Sequence, residues 1–307
     1  MVWQLFLGGL LIGAGCRKEK LVMILFQNEG TFRRVLLRSG MVFCLFLAGC
    51  KDKSVQYYNR GMYYVNKGQY VPAISCFNKA IEINPKYAEA YLNRGTAYAA
   101  KEQYDQAISD FNKAIEINPL FADAYCFRGI AYCAKNQHEQ AVSDFNKAIA
   151  ISPKYVGAYY NRGTAYSEMG EHDKAIADFS EAIQLDPTAT DAYGSRGAAY
   201  NRKGEYDKAI ADFTEVIRMD PNVVAAYCER AAAHSKKGEH DKAISDYTEA
   251  IEINPEFAEV YYDRAAAYHG KGEYDKAWED VHKAQSLGYQ VHPEFLKALR
   301  EASGRER

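Results

Sequence analysis

The sequence predicts an all-α chain: a solenoid of seven helical hairpins of equal length, followed by a C-terminal capping helix. Three observations predict it. Six of the eight prolines (Pro85, Pro119, Pro153, Pro187, Pro221 and Pro255) follow one another at 34-residue intervals, a period that marks stacked repeats. Small residues recur in register, with Gly61, Gly95, Gly129, Gly163 and Gly197 in one column that Ala231 and Ala265 complete. Apolar residues in both halves of each unit return at spacings of three and four, the period of a helix with one buried face.

Composition narrows the function classes. The 307 residues carry a net charge of -2, with 48% hydrophobic and 25% charged residues, which excludes wholesale disorder. No apolar run reaches the roughly 18 residues of a membrane span, which excludes a polytopic membrane protein. Near-neutral charge removes the electrostatic footprint of nucleic-acid binding. The 25 tyrosines against 2 tryptophans require an organisational cause, and the repeat supplies it.

In chain order, residues 1–49 stand outside the repeat. Two short apolar runs, Met1–Gly15 and Met41–Gly49, are separated by Arg33, Arg34 and Arg38. The second ends Leu47-Ala48-Gly49-Cys50, which resembles the bacterial lipobox. In that family signal peptidase II cuts before the cysteine, whose thiol receives a diacylglycerol. Cations, an apolar run and small residues form the order of a secretory leader. The resemblance therefore implies a signal peptide over 1–49, lipidation of Cys50 and a short tether over 50–53. It also implies a lipid-anchored, periplasm-facing protein of the cell envelope, and Lys51 after the cysteine resembles the outer-membrane sorting rule. An uncleaved apolar anchor is the alternative reading, and Met23 is a second candidate start. Without the leader the chain has a net charge of about −6, since the leader holds six cations and two carboxylates.

Residues 54–291 hold the seven units, starting at Ser54, Ala88, Ala122, Val156, Thr190, Val224 and Ala258. Each first helix ends at a turn, and Lys203-Gly204, Lys237-Gly238 and Lys271-Gly272 pair a cation with a left-handed cap. Asp173, Asp207, Asp241 and Asp275 open the second helix, where a carboxylate suits unpaired N–H groups. The second helix buries residues such as Ala175, Phe179 and Ala182, and the proline stops it. A side chain larger than the Gly column allows would hold the two helices apart.

The segment Ala88–Phe121 carries Tyr91, Arg94-Gly95, Tyr98, Ala107, Phe111, Ala114 and Pro119. It resembles the tetratricopeptide repeat, with Tyr in place of Trp and Arg in place of Leu before the glycine. The resemblance implies a right-handed α-α superhelical solenoid whose first helices line a groove for protein or peptide partners. Tyrosine fills two columns of the first helix and the start of the second, so 17 of the 25 occupy repeat-core positions.

A second pairing follows from the columns themselves. Arg60, Arg94, Arg128, Arg162, Arg196, Arg230 and Arg264 accompany aspartates sixteen residues later, from Asp110 to Asp280. Ion pairs between helices are expected, except at Arg60, where Cys76 replaces the aspartate. Over residues 292–307, Pro293 opens a final helix to about Ala302, with Phe295, Leu296 and Leu299 covering the last apolar face.

Chemistry outside packing is sparse. Cys126 and Cys133 are two helical turns apart, too far for an ordinary disulfide, and with Cys76 and Cys228 they read as small packing residues. His138, His172, His240 and His234 take tyrosine positions in different units, so they read as packing and not as a metal or catalytic site. Neither an enzyme nor a cofactor is expected. Asn59, Asn93 and Asn161 resemble the asparagine ladder of some tetratricopeptide proteins, whose amides grip an extended peptide main chain. The ladder breaks at Phe127, Ser195, Glu229 and Asp263. Tyr58, Tyr160 and Tyr262 are expected beside it as amphipathic anchors. The lysines of a carboxylate clamp are missing from these columns. The resulting expectation is a membrane-tethered, non-catalytic adaptor. A self-assembling solenoid is the alternative, against which the Pro293 helix argues.

Overall fold

The computed structural model describes residues 52–304, and the proposed leader and Cys50 lie outside them. The described residues form fifteen α-helices without a strand, an all-α hairpin-repeat fold. They fall into two compact units, 52–185 and 186–304. The first holds four hairpins: α1 (Lys53–Val65) with α2 (Tyr70–Ile83), α3 (Ala88–Ala100) with α4 (Tyr104–Ile117), α5 (Ala122–Ala134) with α6 (His138–Ile151), and α7 (Val156–Glu168) with α8 (His172–Leu185). The second holds three: α9 (Thr190–Lys203) with α10 (Tyr206–Met219), α11 (Val224–Lys236) with α12 (His240–Ile253), and α13 (Ala258–Lys271) with α14 (Tyr274–Ser286). It ends in α15 (Pro293–Ser303).

The first five hairpins each close on one buried phenylalanine. Phe77, Phe111, Phe145, Phe179 and Phe213 are fully buried, each against the glycine of the first helix. A Cβ on Gly95 would stand 2.7 Å from Phe111 Cε1, and one on Gly129 2.7 Å from Phe145 Cε1. Glycine is therefore a condition of seating phenylalanine there. Where the column turns to alanine the aromatic changes as well: Ala231 shares its core with Tyr247, and Ala265 with Val281.

The predicted ion pairs form in every hairpin from the second onward. Arg128 donates from Nε to Asp144 Oδ2 at 2.7 Å and from Nη2 to Oδ1 at 2.6 Å. The same fork joins Arg162 to Asp178, Arg196 to Asp212, Arg230 to Asp246 and Arg264 to Asp280. In Arg94, Arg128, Arg162, Arg230 and Arg264 the third nitrogen reaches back to the preceding hairpin, Arg94 Nη1 to Asn78 Oδ1 at 2.7 Å and Arg264 Nη1 to Thr248 Oγ1 at 3.0 Å. One guanidinium thus ties three helices. Its face lies over the tyrosine three residues earlier, with Arg94 Cζ 5.4 Å from the centre of the Tyr91 ring and Arg196 Cζ 5.5 Å from that of Tyr193. The first tyrosine column therefore covers the arginines as well as packing the repeat.

The turns follow the sequence in part. Gly204 and Gly272 adopt the left-handed cap, φ 76° and 83°. Glu102 and Asn136 hold the same conformation, φ 60° and 58°, without being glycine. The residue before the proline makes a second turn: Asn84, Asn118 and Asp186 accept the backbone N–H two residues on. The aspartates of the second helix differ from expectation. The caps are Glu205, Glu239 and Glu273, which make no side-chain capping bond, and the aspartates lie inside the first turn. Asp207 instead accepts from Lys237 at 2.5 Å and Asp241 from Lys271 at 2.7 Å, each a link to the next hairpin. The C-terminal helix seals the last core as expected, with Leu299 fully buried and Trp278 Nε1 donating to Ser303 Oγ at 3.2 Å.

Candidate functional site

The sequence points to the first helices as the recognition surface. In the first unit, Tyr58 of α1 stacks between Phe77 and Tyr87, ring centres 5.9 and 4.9 Å away. Its hydroxyl accepts from Asn93 Nδ2 of α3 at 3.1 Å, and the same amide donates to Glu89 O at 2.8 Å. Burial pushes the Tyr58 phenol up to about 12 despite that bond. An amide and an aromatic from successive hairpins thus meet on one face. Asn59 stands exposed. Asn161 of α7 is 5% exposed, with its Nδ2 held by Gly157 O at 2.6 Å, and Tyr160 packs on Phe179 at 5.7 Å.

In the second unit the same columns become acidic. Asp263 of α13 is pushed up to about 7 by burial, with Glu259 and Glu229 adding repulsion. Glu229 of α11 is also raised by burial, while Asn201 Nδ2 donates to its Oε2 at 3.1 Å. Burial raises Asp191 of α9 too. Tyr262, beside Asp263, packs against Tyr289 and Phe295 with ring centres 5.2 and 5.3 Å apart, which anchors the C-terminal helix.

The cysteines and histidines sit as packing residues. Cys126 is buried, and burial pushes it, Cys133 and Cys228 up to about 12, which keeps these thiols protonated. His234 is buried and shares a hydrogen bond with Glu239 at 2.7 Å. The His240 ring fills the space that glycine leaves at Gly270. Among the described residues no group of His, Cys, Asp and Glu is arranged to hold a metal ion, and no helix is long and apolar enough to cross a membrane.

Two family models match this chain. The tetratricopeptide repeat model matches residues 88–121, 156–189 and 190–223, and a second TPR repeat model matches 61–101, 129–170 and 234–272. Together they take in more than half of the sequence. The chain belongs to the tetratricopeptide repeat family. Such repeats are, in general, non-catalytic modules of protein–protein interaction.

Among solved tetratricopeptide structures, the chain is similar to YrrB, described as a TPR protein with an unusual peptide-binding site. Identity is 26%, with 64% of this chain and 97% of that one covered and a TM-score of 0.53. It is similar to MamA at 30% identity, covering 56% of this chain and 94% of that one, TM-score 0.50. The C-terminal part of a TPR repeat-containing protein from Cytophaga hutchinsonii shares the fold at 21% identity, covering 81% and 96%, TM-score 0.61. No curated protein matches the sequence.

The tetratricopeptide columns showed where the asparagines stop but not how the residues that replace them are buried. Glu229 and Asp263 are visible in the sequence as interruptions of the Asn column in two successive units. Their mutual repulsion with Glu259 needed the fold, because it depends on how deeply adjacent first helices bury them.

Proposed function

We propose that this protein is a membrane-tethered tetratricopeptide adaptor of the bacterial envelope, facing the periplasm from the outer membrane. It binds extended segments of partner proteins on the first helices of its N-terminal unit. The observation that carries the reading is the Asn93–Tyr58 bond at 3.1 Å, which lays an amide beside an amphipathic aromatic across two hairpins. Asn59 adds an exposed donor and acceptor pair for a peptide unit. The peptide-binding site named for YrrB, a protein of similar fold, supports the same use of the face. Tyr160 and Asn161 belong to this surface as shaping residues, with Asn161 only 5% exposed, whereas Tyr262 lies in the second unit against Tyr289 and Phe295. The tether is Cys50, acylated after cleavage behind Leu47-Ala48-Gly49.

Both ends of the array speak against self-assembly by stacking. In the later hairpins of the first unit Ala90, Ala97, Ala124 and Ala131 are buried, whereas the first hairpin has Gln56 and Tyr63 at those positions, and α15 covers the last.

Crosslinking pull-down from membranes tests the adaptor reading. The Asn59/Asn93/Asn161→Ala variant is expected to lose partners held by wild type, with the single changes at Asn59 and Asn93 giving most of the loss. Retention of every partner at unchanged affinity sinks the ladder. Cys50→Ser is expected to move the protein out of the membrane fraction, and firm attachment would point to an uncleaved anchor.

A further inference from the structure

The face of α1 that would receive a preceding hairpin is built for something else. In later hairpins this face carries small buried alanines and an arginine neutralised by its aspartate. In α1 it presents Gln56, Arg60, Tyr63 and Lys67, spaced along one helical stripe that runs into the following turn. Tyr63 is 50% exposed, with Lys67 Nζ 4.6 Å from the centre of its ring. Arg60 is exposed, with Cys76 where the aspartate would be, and its guanidinium donates to the Tyr64 hydroxyl at 3.4 Å. Among the described residues neither Arg60 nor Lys67 makes an ion pair.

Charge singles out the same hairpin. Residues 54–87 carry four cations (Arg60, Lys67, Lys79 and Lys86) against one carboxylate, Glu82. Residues 88–291 carry 22 Lys and Arg against 33 Asp and Glu. The one strongly basic hairpin is therefore also the one nearest the tether. From Cys50 to Lys53, where α1 begins, the chain spans at most about 11 Å.

We propose that the Arg60–Tyr63–Lys67 face of α1 docks on the anionic headgroups of the membrane that holds the chain, orienting the repeat array relative to that surface. This rests on the tether of the proposed function. Tyrosine suits the headgroup layer because its ring is apolar and its hydroxyl wet, and long cationic side chains reach phosphate while their stems cover apolar surface. Each cation near an anionic surface contributes about a fivefold gain in association, and it weakens with salt. The acidic remainder of the array is repelled by the same headgroups, so α1 is the end that faces them.

The test uses the full-length chain reconstituted on vesicles of phosphatidylcholine alone, or of equal parts phosphatidylcholine and phosphatidylglycerol. Amide hydrogen exchange in α1 is followed, with α13 as the internal reference. Expected is roughly tenfold slower exchange in α1 on the phosphatidylglycerol vesicles, with α13 unchanged. Arg60→Glu/Lys67→Glu abolishes the gain, whereas Lys174→Glu on α8 leaves it intact. Equal exchange in α1 on both vesicles, or a gain that survives the charge reversal, overturns the proposal. So does equal protection of α1 by polyglutamate, which would assign the face to an acidic polypeptide. Unchanged α13 exchange in the variants shows that the fold is kept. Because the comparison is between headgroups on an already attached chain, its failure is separate from the Cys50→Ser result.

Discussion

Arg94 and Asp110 face each other across one hairpin through two hydrogen bonds, Nε to Oδ2 at 2.8 Å and Nη2 to Oδ1 at 2.6 Å. The aspartate is almost fully buried and the arginine about one-fifth exposed. A pair with this burial gains less from its attraction than it loses when one partner is removed, because the survivor stays desolvated.

Asp144→Ala is therefore expected to cost about 3 kcal/mol or more, since it strands Arg128. Arg60→Ala, at the position without an aspartate, is expected to change stability by under about 0.5 kcal/mol. Urea titration followed by circular dichroism measures both. Equal effects at the two sites would show that the fork contributes nothing beyond packing.

Gly129→Ala is expected to destabilise by about 1–3 kcal/mol, because the new methyl enters the Phe145 ring. Phe145→Val alone opens a cavity. Combined, the two substitutions reproduce the Ala265 and Val281 pairing of the seventh hairpin, so the double variant should be more stable than the sum of single losses predicts. Additive losses would mean that the glycine and the phenylalanine do not set each other's size.

Glu102→Gly is expected to raise stability by roughly 0.5–1 kcal/mol, because a left-handed conformation strains a residue with a Cβ. Asn136→Gly should gain less, since asparagine tolerates that region. Thermal melts compare the two, and a lower melting temperature for Glu102→Gly would contradict the reading.

Asp263 makes stability depend on pH. Unfolded, its carboxyl titrates near about 4. Folded, it titrates at about 7. Between these values the native chain holds a proton that the unfolded chain has released. The contribution of this group is thus full below about pH 4, falls through the window and is gone above about pH 7. Asp263→Asn should flatten the decline in urea midpoint between about pH 4 and pH 7. An unchanged slope would move the proton to another group.

The repeat made much of this legible in advance. The hairpins, the glycine opposite the phenylalanine and the Arg–Asp partners all follow from columns that recur once per unit, because a repeated unit writes each contact several times. The C-terminal helix was legible where that pattern stops. Asp207 shows the limit. Its place at a helix start was legible, but its partner Lys237 lies in the next hairpin, and local propensity carries no information about that neighbour. The asparagines show it again: Asn59, Asn93 and Asn161 share one column, yet one is exposed, one bridges to Tyr58 and one is buried.

The sequence by itself determined the unit: where each helix starts and stops, which residues face inward, and which charges pair within a hairpin. Those are properties of local period and turn chemistry, fixed inside a single repeat. Tertiary structure alone decided the environment of each column. It set the third bond that Arg94, Arg128, Arg162, Arg230 and Arg264 make to the preceding hairpin, the proton held by Asp263, and the exposure of Tyr63 and Lys67. These depend on what packs beside a unit, and burial and electrostatic interaction are set by neighbours far away in the chain.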